Sequence, residues 1–394
     1  MHTGGAFMPY PDVNVANADE GLLSGLKFAV KDLFDVSGFP TSAGQPLVLA
    51  ISGVKTTTAP IVQLILNSGA QLVGKTVTDE LAFSLNGQNA HFGSPVNGAC
   101  SERICGGSSS GSASAVSLRL VDFALGTDTG GSIRAPSSHC GLIGIRPTHG
   151  RVSLEGVTDL APSLDTCGWF ARDFSVFSRV SQTVFGARVG DKQERAEPRI
   201  YLPASIWGLL SSEAQEALKV PIRKLRDQFE IRCDFDIEDH YKLDELYWAF
   251  RYIQGYEAWG VHGAFIEKYS PVLGPGVKER FEWSRQVTKD QVEWATRLRL
   301  QFQRFLCDQL ALDGYLLIPT MPDIAPLRSA NEADLEAYRN NSIRMLCLAG
   351  LAGLPQISLP LASRLDSPLG ISLIGPRKKD VELVELCSYL MPFD

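Results

Sequence analysis

The chain has 394 residues, 44% of them hydrophobic and 21% charged, with a formal net charge of −7, a composition typical of a water-soluble globular protein. No apolar run approaches the roughly 20 residues that span a bilayer, and the first ten residues lack a secretory signal pattern, so we expect a cytoplasmic protein that does not bind membranes. The acidic balance argues against nucleic acid as a partner, and the spacing of the cysteines and histidines indicates neither a disulfide framework nor a metal site.

The first 150 residues are poor in charge and rich in glycine, with 18 charged side chains and 21 of the 36 glycines of the chain. Short apolar runs predict strands at residues 26–30, 71–73 and 121–125. Apolar spacing and glycine boundaries predict helices at 59–68 and 110–119. Because strands and helices alternate, the pattern predicts an α/β fold.

Residues 205–312 have a different character, charged and aromatic, with helical spacing of their apolar residues. We therefore predict a helical insertion here, opened by a strand at residues 199–201. Further strands are predicted at 314–319, 355–360 and 369–375, so that residues 25–200 and 313–394 form the core of one domain over 1–394. Five of the six tryptophans belong to the insertion: Trp207, Trp248, Trp259, Trp283 and Trp294.

Three segments of the charge-poor region carry side chains suited to catalysis. They are AVKDLFDV at residues 29–36, GGSSSGSA at 106–113 and GTDTGGSIR at 126–134. Taken singly, they have simpler explanations: a solvated lysine, a flexible linker, and a glycine turn or anion-binding loop. The serine-rich segment abuts a predicted helix and strand, which argues against a linker. The absence of the GxxxxGK[ST] and GxGxxG patterns argues against a nucleotide site.

Taken together, the three segments predict a serine nucleophile that is activated by a lysine. A serine hydroxyl needs a base to remove its proton, and Lys31 can be that base if burial keeps it neutral near pH 7. The glycines before Ser132 allow backbone N–H groups to turn towards an oxyanion, and a helix starting at Ser132 would add its dipole. The GxSxG pattern of Ser-His-Asp hydrolases is absent. A cysteine hydrolase built on His139 and Cys140 is disfavoured, because adjacent side chains on a helix diverge by about 100°.

In order and spacing these segments resemble the amidase signature family, with 24 residues between Ser108 and Ser132. The resemblance continues through LDTCGWFARD at residues 164–173, AGLPQISLP at 352–360 and GISLIGPRKKD at 370–380. It covers residues 25–185 and 315–385, and the helical insertion is not diagnostic. The family fold it implies is a central mixed β-sheet with helices on both faces.

The resemblance also implies the roles of the site residues. Lys31 would be the general base, and Ser108, following a cis peptide bond, would relay the proton from the nucleophile Ser132. The oxyanion hole would consist of backbone N–H groups of Thr129, Gly130, Gly131 and Ser132. Ser109 would support Ser108 and Ser132, and Asp128 and Arg134 would brace the loop that carries Ser132. For Asp128 and Arg134, an ordinary buried ion pair is an equal alternative to this bracing role.

The implied reaction is hydrolysis of an amide C–N bond through an acyl-enzyme, without a cofactor. Segments at residues 76–97 and 119–132 resemble short plant-type indole-3-acetamide hydrolases, which implies a small primary amide such as an aryl-acetamide. Phe83, Phe92 and Cys140 are candidates for an apolar acyl pocket, with core packing as the simpler explanation.

Two alternatives remain: the glutaminase subunit of an amidotransferase complex, and an inactive homologue. The intact lysine and both serines argue against the inactive homologue. About thirty residues precede Lys31, fewer than in most members of the family. This argues against the glutaminase subunit and against the usual mode of forming a homodimer, although a homodimer stays open.

Overall fold

A ten-stranded mixed β-sheet organises the computed structural model, which describes residues 3–187 and 197–391. Its strands in chain order are β1 (Lys27–Lys31), β2 (Gln71–Thr76), β3 (Phe123–Asp128), β4 (Ile143–Arg146), β5 (Thr166–Ala171), β6 (Arg199–Tyr201), β7 (Ile231–Arg232), β8 (Gly314–Pro319), β9 (Gln356–Arg364) and β10 (Ser367–Ile374).

The strands lie in the order β2-β1-β3-β5-β4-β9-β10-β8-β6-β7. Strand β1 pairs in parallel with both β2 and β3, and β6 pairs in parallel with β7 and β8. The pairs from β3 to β8 across the centre are antiparallel. Because β1 and β3 are parallel neighbours, residues at their carboxyl ends lie side by side.

Helices cover both faces of the sheet. Phe28 and Val30 of β1 belong to one apolar cluster, whereas Ala29 between them belongs to another, as alternation along a strand requires. The helices are α1 (Pro46–Ser52), α2 (Pro60–Asn67), α3 (Ser110–Ser117), α4 (Arg134–Cys140), α5 (Phe174–Phe185), α6 (Ala204–Trp207), α7 (Ser212–Gln228), α8 (Leu243–Tyr269), α9 (Val277–Ser284), α10 (Lys289–Leu310), α11 (Glu332–Ala352) and α12 (Asp380–Leu390).

The predicted α/β fold with a mixed sheet is confirmed. Strand β3 extends beyond the predicted 121–125 to Asp128, because Gly126–Asp128 continue the pairing with β5. The helical character of residues 205–312 is also found, with one two-residue strand, β7, that the sequence did not indicate. In the described ranges, every helix is too short or too polar to cross a bilayer.

Candidate active site

Lys31 is the last residue of β1, and its side chain is fully buried. Its Nζ donates hydrogen bonds to Ser108 Oγ at 2.7 Å and to Thr127 Oγ1 at 2.8 Å. Burial lowers the pKa of Lys31 to about 7, against the opposing charges of Asp79, Asp165 and Asp128. A large fraction of this amine is therefore neutral at physiological pH and can accept a proton.

Ser108 lies in a tightly held loop before α3 and follows a cis peptide bond from Gly107, as the family resemblance implies. The backbone N–H of Asp79 and the hydroxyl of Thr78 both donate to the carbonyl oxygen of Ser108. Ser109 Oγ donates to the carbonyl of Thr127 at 3.1 Å, and the Ser109 N–H donates to the carbonyl of Ser132 at 3.3 Å. Ser109 thereby ties the Ser108 loop to both β3 and the Ser132 loop.

Ser132 lies in the loop between β3 and α4 and is 3% exposed. Helix α4 begins at Arg134, two residues later than expected, and Gly131 has a φ of +118°. The Gly131 N–H donates to Asp128 Oδ1 at 2.9 Å. Of the four N–H groups predicted for the oxyanion hole, that of Gly131 therefore already has a carboxylate acceptor in this structure. Within the described residues, the N–H groups of Thr129, Gly130 and Ser132 have no protein acceptor.

A buried ionic cluster holds this loop. Asp128 accepts hydrogen bonds from Arg134 Nε at 2.9 Å and NH2 at 2.8 Å, and from Arg146 NH1 at 3.1 Å. All three side chains are fully buried. Burial alone would raise the pKa of Asp128, but the two guanidinium groups lower it well below its usual range. The contact between Asp128 and Arg134 is therefore both the predicted brace of the Ser132 loop and the alternative buried ion pair.

Several groups around the predicted residues gave no sign of their role in the sequence. Thr127, at the carboxyl end of β3, bonds to Lys31, and Arg146 of β4 bonds to Asp128. Asp165 accepts the hydroxyl of Thr129 at 2.5 Å. These residues lie inside or next to the recognised segments, but no spacing rule distinguishes them from ordinary strand-end polar residues.

Ser132 also lines a small cavity. Helices α8 and α11 supply four of its lining residues. The described lining residues are Ala82, Phe83, Ser84, Leu85, Gly130, Ser132, Phe250, Gln254, Arg339 and Ile343.

Two of the three predicted pocket residues lie elsewhere. Phe83 lines the cavity, but Phe92 and Cys140 are not among its described lining residues. Phe92 is held in a turn by a hydrogen bond from its N–H to Asn89 Oδ1. Cys140, at the end of α4, points its thiol towards the carbonyl of Cys105. Phe250 and Gln254 come from the insertion, whose sequence gave no sign of this role.

The described ranges contain no group of three or more His, Cys, Asp and Glu side chains that could hold a metal ion.

The comparisons with known proteins agree on one family. The family model described as Amidase matches residues 10–384. Amidase 1 of Arabidopsis thaliana is 36% identical over 400 residues, which cover 94% of this chain and 93% of that protein. Mandelamide hydrolase of Pseudomonas putida is 30% identical, covering 95% of this chain and 79% of that protein. A crystal structure of an amidase matches with a TM-score of 0.84 at 30% identity, covering 94% of this chain and 85% of that one.

Proposed function

Because the chain belongs to the amidase family and is a hydrolase that acts on amide bonds, we propose that Ser132, Ser108 and Lys31 form its catalytic triad. The observation that supports this most directly is the 2.7 Å hydrogen bond from Lys31 Nζ to Ser108 Oγ. It joins a buried amine of lowered pKa to a hydroxyl on the loop that Ser109 ties to Ser132.

In the proposed reaction, Ser132 Oγ attacks the amide carbonyl carbon while its proton passes through Ser108 to Lys31. The resulting oxyanion accepts hydrogen bonds from the free N–H groups of Thr129, Gly130 and Ser132. Lys31 returns the proton through Ser108 to the leaving nitrogen, and the C–N bond breaks to give an acyl-enzyme and ammonia. A water molecule then attacks the ester by the same route and releases the carboxylate.

The proposed substrate is a small primary amide with an aryl-acetyl type of acyl group. Phe83, Leu85, Phe250 and Ile343 give the cavity beside Ser132 apolar walls, which suit a ring or a methylene chain. The similarity to mandelamide hydrolase supports the same class, because mandelamide is itself a primary amide of an arylacetic acid.

The test is ammonia release from phenylacetamide, mandelamide, indole-3-acetamide, benzamide, malonamate and glutamine, with Ser132→Ala as the matched variant. We expect the wild type to hydrolyse at least one aryl-acetamide and the folded Ser132→Ala protein to lose at least about 10³-fold of that rate. Comparable turnover by both proteins would refute the assignment of the nucleophile. Hydrolysis of glutamine alone, and only with a partner subunit, would favour the amidotransferase alternative instead.

A further inference from the structure

Arg339 on α11 is a buried cation in the wall of the cavity that contains Ser132. The residue is 3% exposed, and its Nε has no hydrogen-bond partner within the described part of the chain. Its NH1 contacts Glu336 Oε1 at 3.3 Å, but the Glu336 side chain is 46% exposed. A solvated carboxylate compensates a buried charge only weakly, so the guanidinium lacks a full counter-charge.

The groups around Arg339 further disfavour its positive charge. Burial, together with the nearby cations Arg280 and Arg251, lowers the pKa of Arg339 to about 9, with Glu336 and Tyr247 opposing them. The group is still charged at neutral pH. Arg280 is not among the described lining residues of the cavity, and its Nε donates to the carbonyl of Phe83 at 2.6 Å.

The cavity beside Ser132, here called the inner cavity, differs in charge from the larger cleft next to it. Among the ten described lining residues, Arg339 is the only ionisable one. A larger cleft that shares Ser84 with this cavity has four carboxylates and two guanidiniums in its walls. Attraction of an anion therefore depends on the inner cavity and not on the outer cleft.

A second polar group in the same cavity has no partner. Gln254 on α8 is 6% exposed, and its Oε1 is buried without a donor in the described structure. Burying unsatisfied polar atoms costs free energy unless a ligand satisfies them. Two such atoms beside a nucleophile indicate a ligand with a polar end as well as an apolar part.

We propose that Arg339 binds a carboxylate on the acyl part of the substrate, so that the enzyme prefers amides of dicarboxylic acids. This rests on the proposed function of Ser132. A guanidinium fits a carboxylate well because it can donate two parallel hydrogen bonds. The apolar side chains that line the same cavity are suited to contact the methylene groups or the ring that separate the carboxylate from the amide. The net reaction converts a monoamide and water into a dicarboxylate and ammonium.

The test compares each acid with its isosteric neutral diamide. The pairs are malonamate with malonamide, succinamate with succinamide, and glutaramate with glutaramide, and 4-carboxyphenylacetamide is compared with phenylacetamide. In at least one pair we expect the wild type to prefer the acid by about 10- to 100-fold in kcat/KM, the range for a hydrogen bond to a charged group. The Arg339→Gln variant should lose that preference by a rise in KM for the acid, with little change for the neutral amide.

The control is Arg344→Gln on the same helix, since Arg344 pairs with the exposed Asp244 and does not line the cavity. It should keep the preference. A second variant, Glu336→Gln, removes the competing carboxylate and should lower KM for the acid, which tests the idea even if Arg339→Gln does not fold. Equal kcat/KM for acid and neutral partner in every pair, with Ser132-dependent turnover intact, would overturn the role of Arg339 and leave the proposed function standing.

Discussion

Thr127 Oγ1 lies 2.8 Å from Lys31 Nζ and accepts a hydrogen bond from it. The two residues are at the carboxyl ends of the parallel neighbours β1 and β3, and both are buried. Because Nζ also donates to Ser108 Oγ, the Thr127 hydroxyl fixes the direction in which the amine points. We infer that Thr127 is a positioning residue for the proposed base.

Replacing Thr127 with Val keeps the shape of the side chain but removes this acceptor. We expect kcat to fall by about 10-fold, the equivalent of a hydrogen bond of about 1.4 kcal/mol. The bond favours the ammonium form, so its loss should lower the pKa of Lys31 and move the rising limb of the pH–rate profile to lower pH. Thr127→Ser should restore both kcat and the pKa of Lys31. If the pH–rate profile of Thr127→Val were the same as that of the wild type, Thr127 would have only a packing role.

The pH dependence of kcat/KM follows from the lowered pKa of Lys31, about 7. A base must be neutral to accept the Ser132 proton, so activity should rise with pH and level off above about pH 8. Below pH 6 it should fall about 10-fold per unit. Lys31→Met should abolish turnover without unfolding the protein. A flat profile between pH 5 and 9, measured with a neutral amide, would contradict the role of Lys31.

Asp128→Asn should destabilise the fold strongly. Removing this carboxylate leaves Arg134 and Arg146 buried without their counter-charge, a situation that costs about 3–5 kcal/mol in other proteins. The free energy of unfolding in urea measures the effect. Asp244→Asn breaks the surface ion pair with Arg344 and should cost under about 1 kcal/mol. Similar losses in the two variants would mean that the Asp128 cluster is not the brace of the Ser132 loop.

Gly131→Ala should impair catalysis because the loop has no room for a side chain. A Cβ there would overlap with Leu346 Cδ1, at a φ of +118° that L-residues rarely adopt. We expect at least about 1 kcal/mol of destabilisation from the backbone conformation alone and a fall in kcat.

The matched control is Gly260→Ala, on the exposed side of α8, where a Cβ meets nothing within 4 Å. This change should raise the stability by up to about 1 kcal/mol through helix propensity and leave kcat unchanged. Thermal unfolding and steady-state kinetics of the two variants distinguish these outcomes.

The sequence points to the proposed triad more directly than to its surroundings. Lys31, Ser108 and Ser132 lie in short segments with recognisable order and spacing, and most strand and helix positions near them follow from periodicity. Arg339 and Gln254 lie in helices far along the chain, where nothing local distinguishes a cavity residue from a core residue. The positions of Phe92 and Cys140 away from the cavity beside Ser132 have the same cause: proximity in sequence to the site does not decide which way a side chain faces.

The three proposed triad residues lie within residues 31–132, whereas Phe250, Gln254, Arg339 and Ile343 of the cavity wall come from α8 and α11. The proposed chemical step thus depends on residues 31–132, whereas the proposed choice of acyl group depends in part on a second, separate stretch of the gene. Mutations can accumulate in the second stretch without touching the first, so a lineage can acquire a new substrate while the hydrolytic reaction persists. A chimera that carries α8 to α11 of a relative would reproduce such a change of substrate in the laboratory.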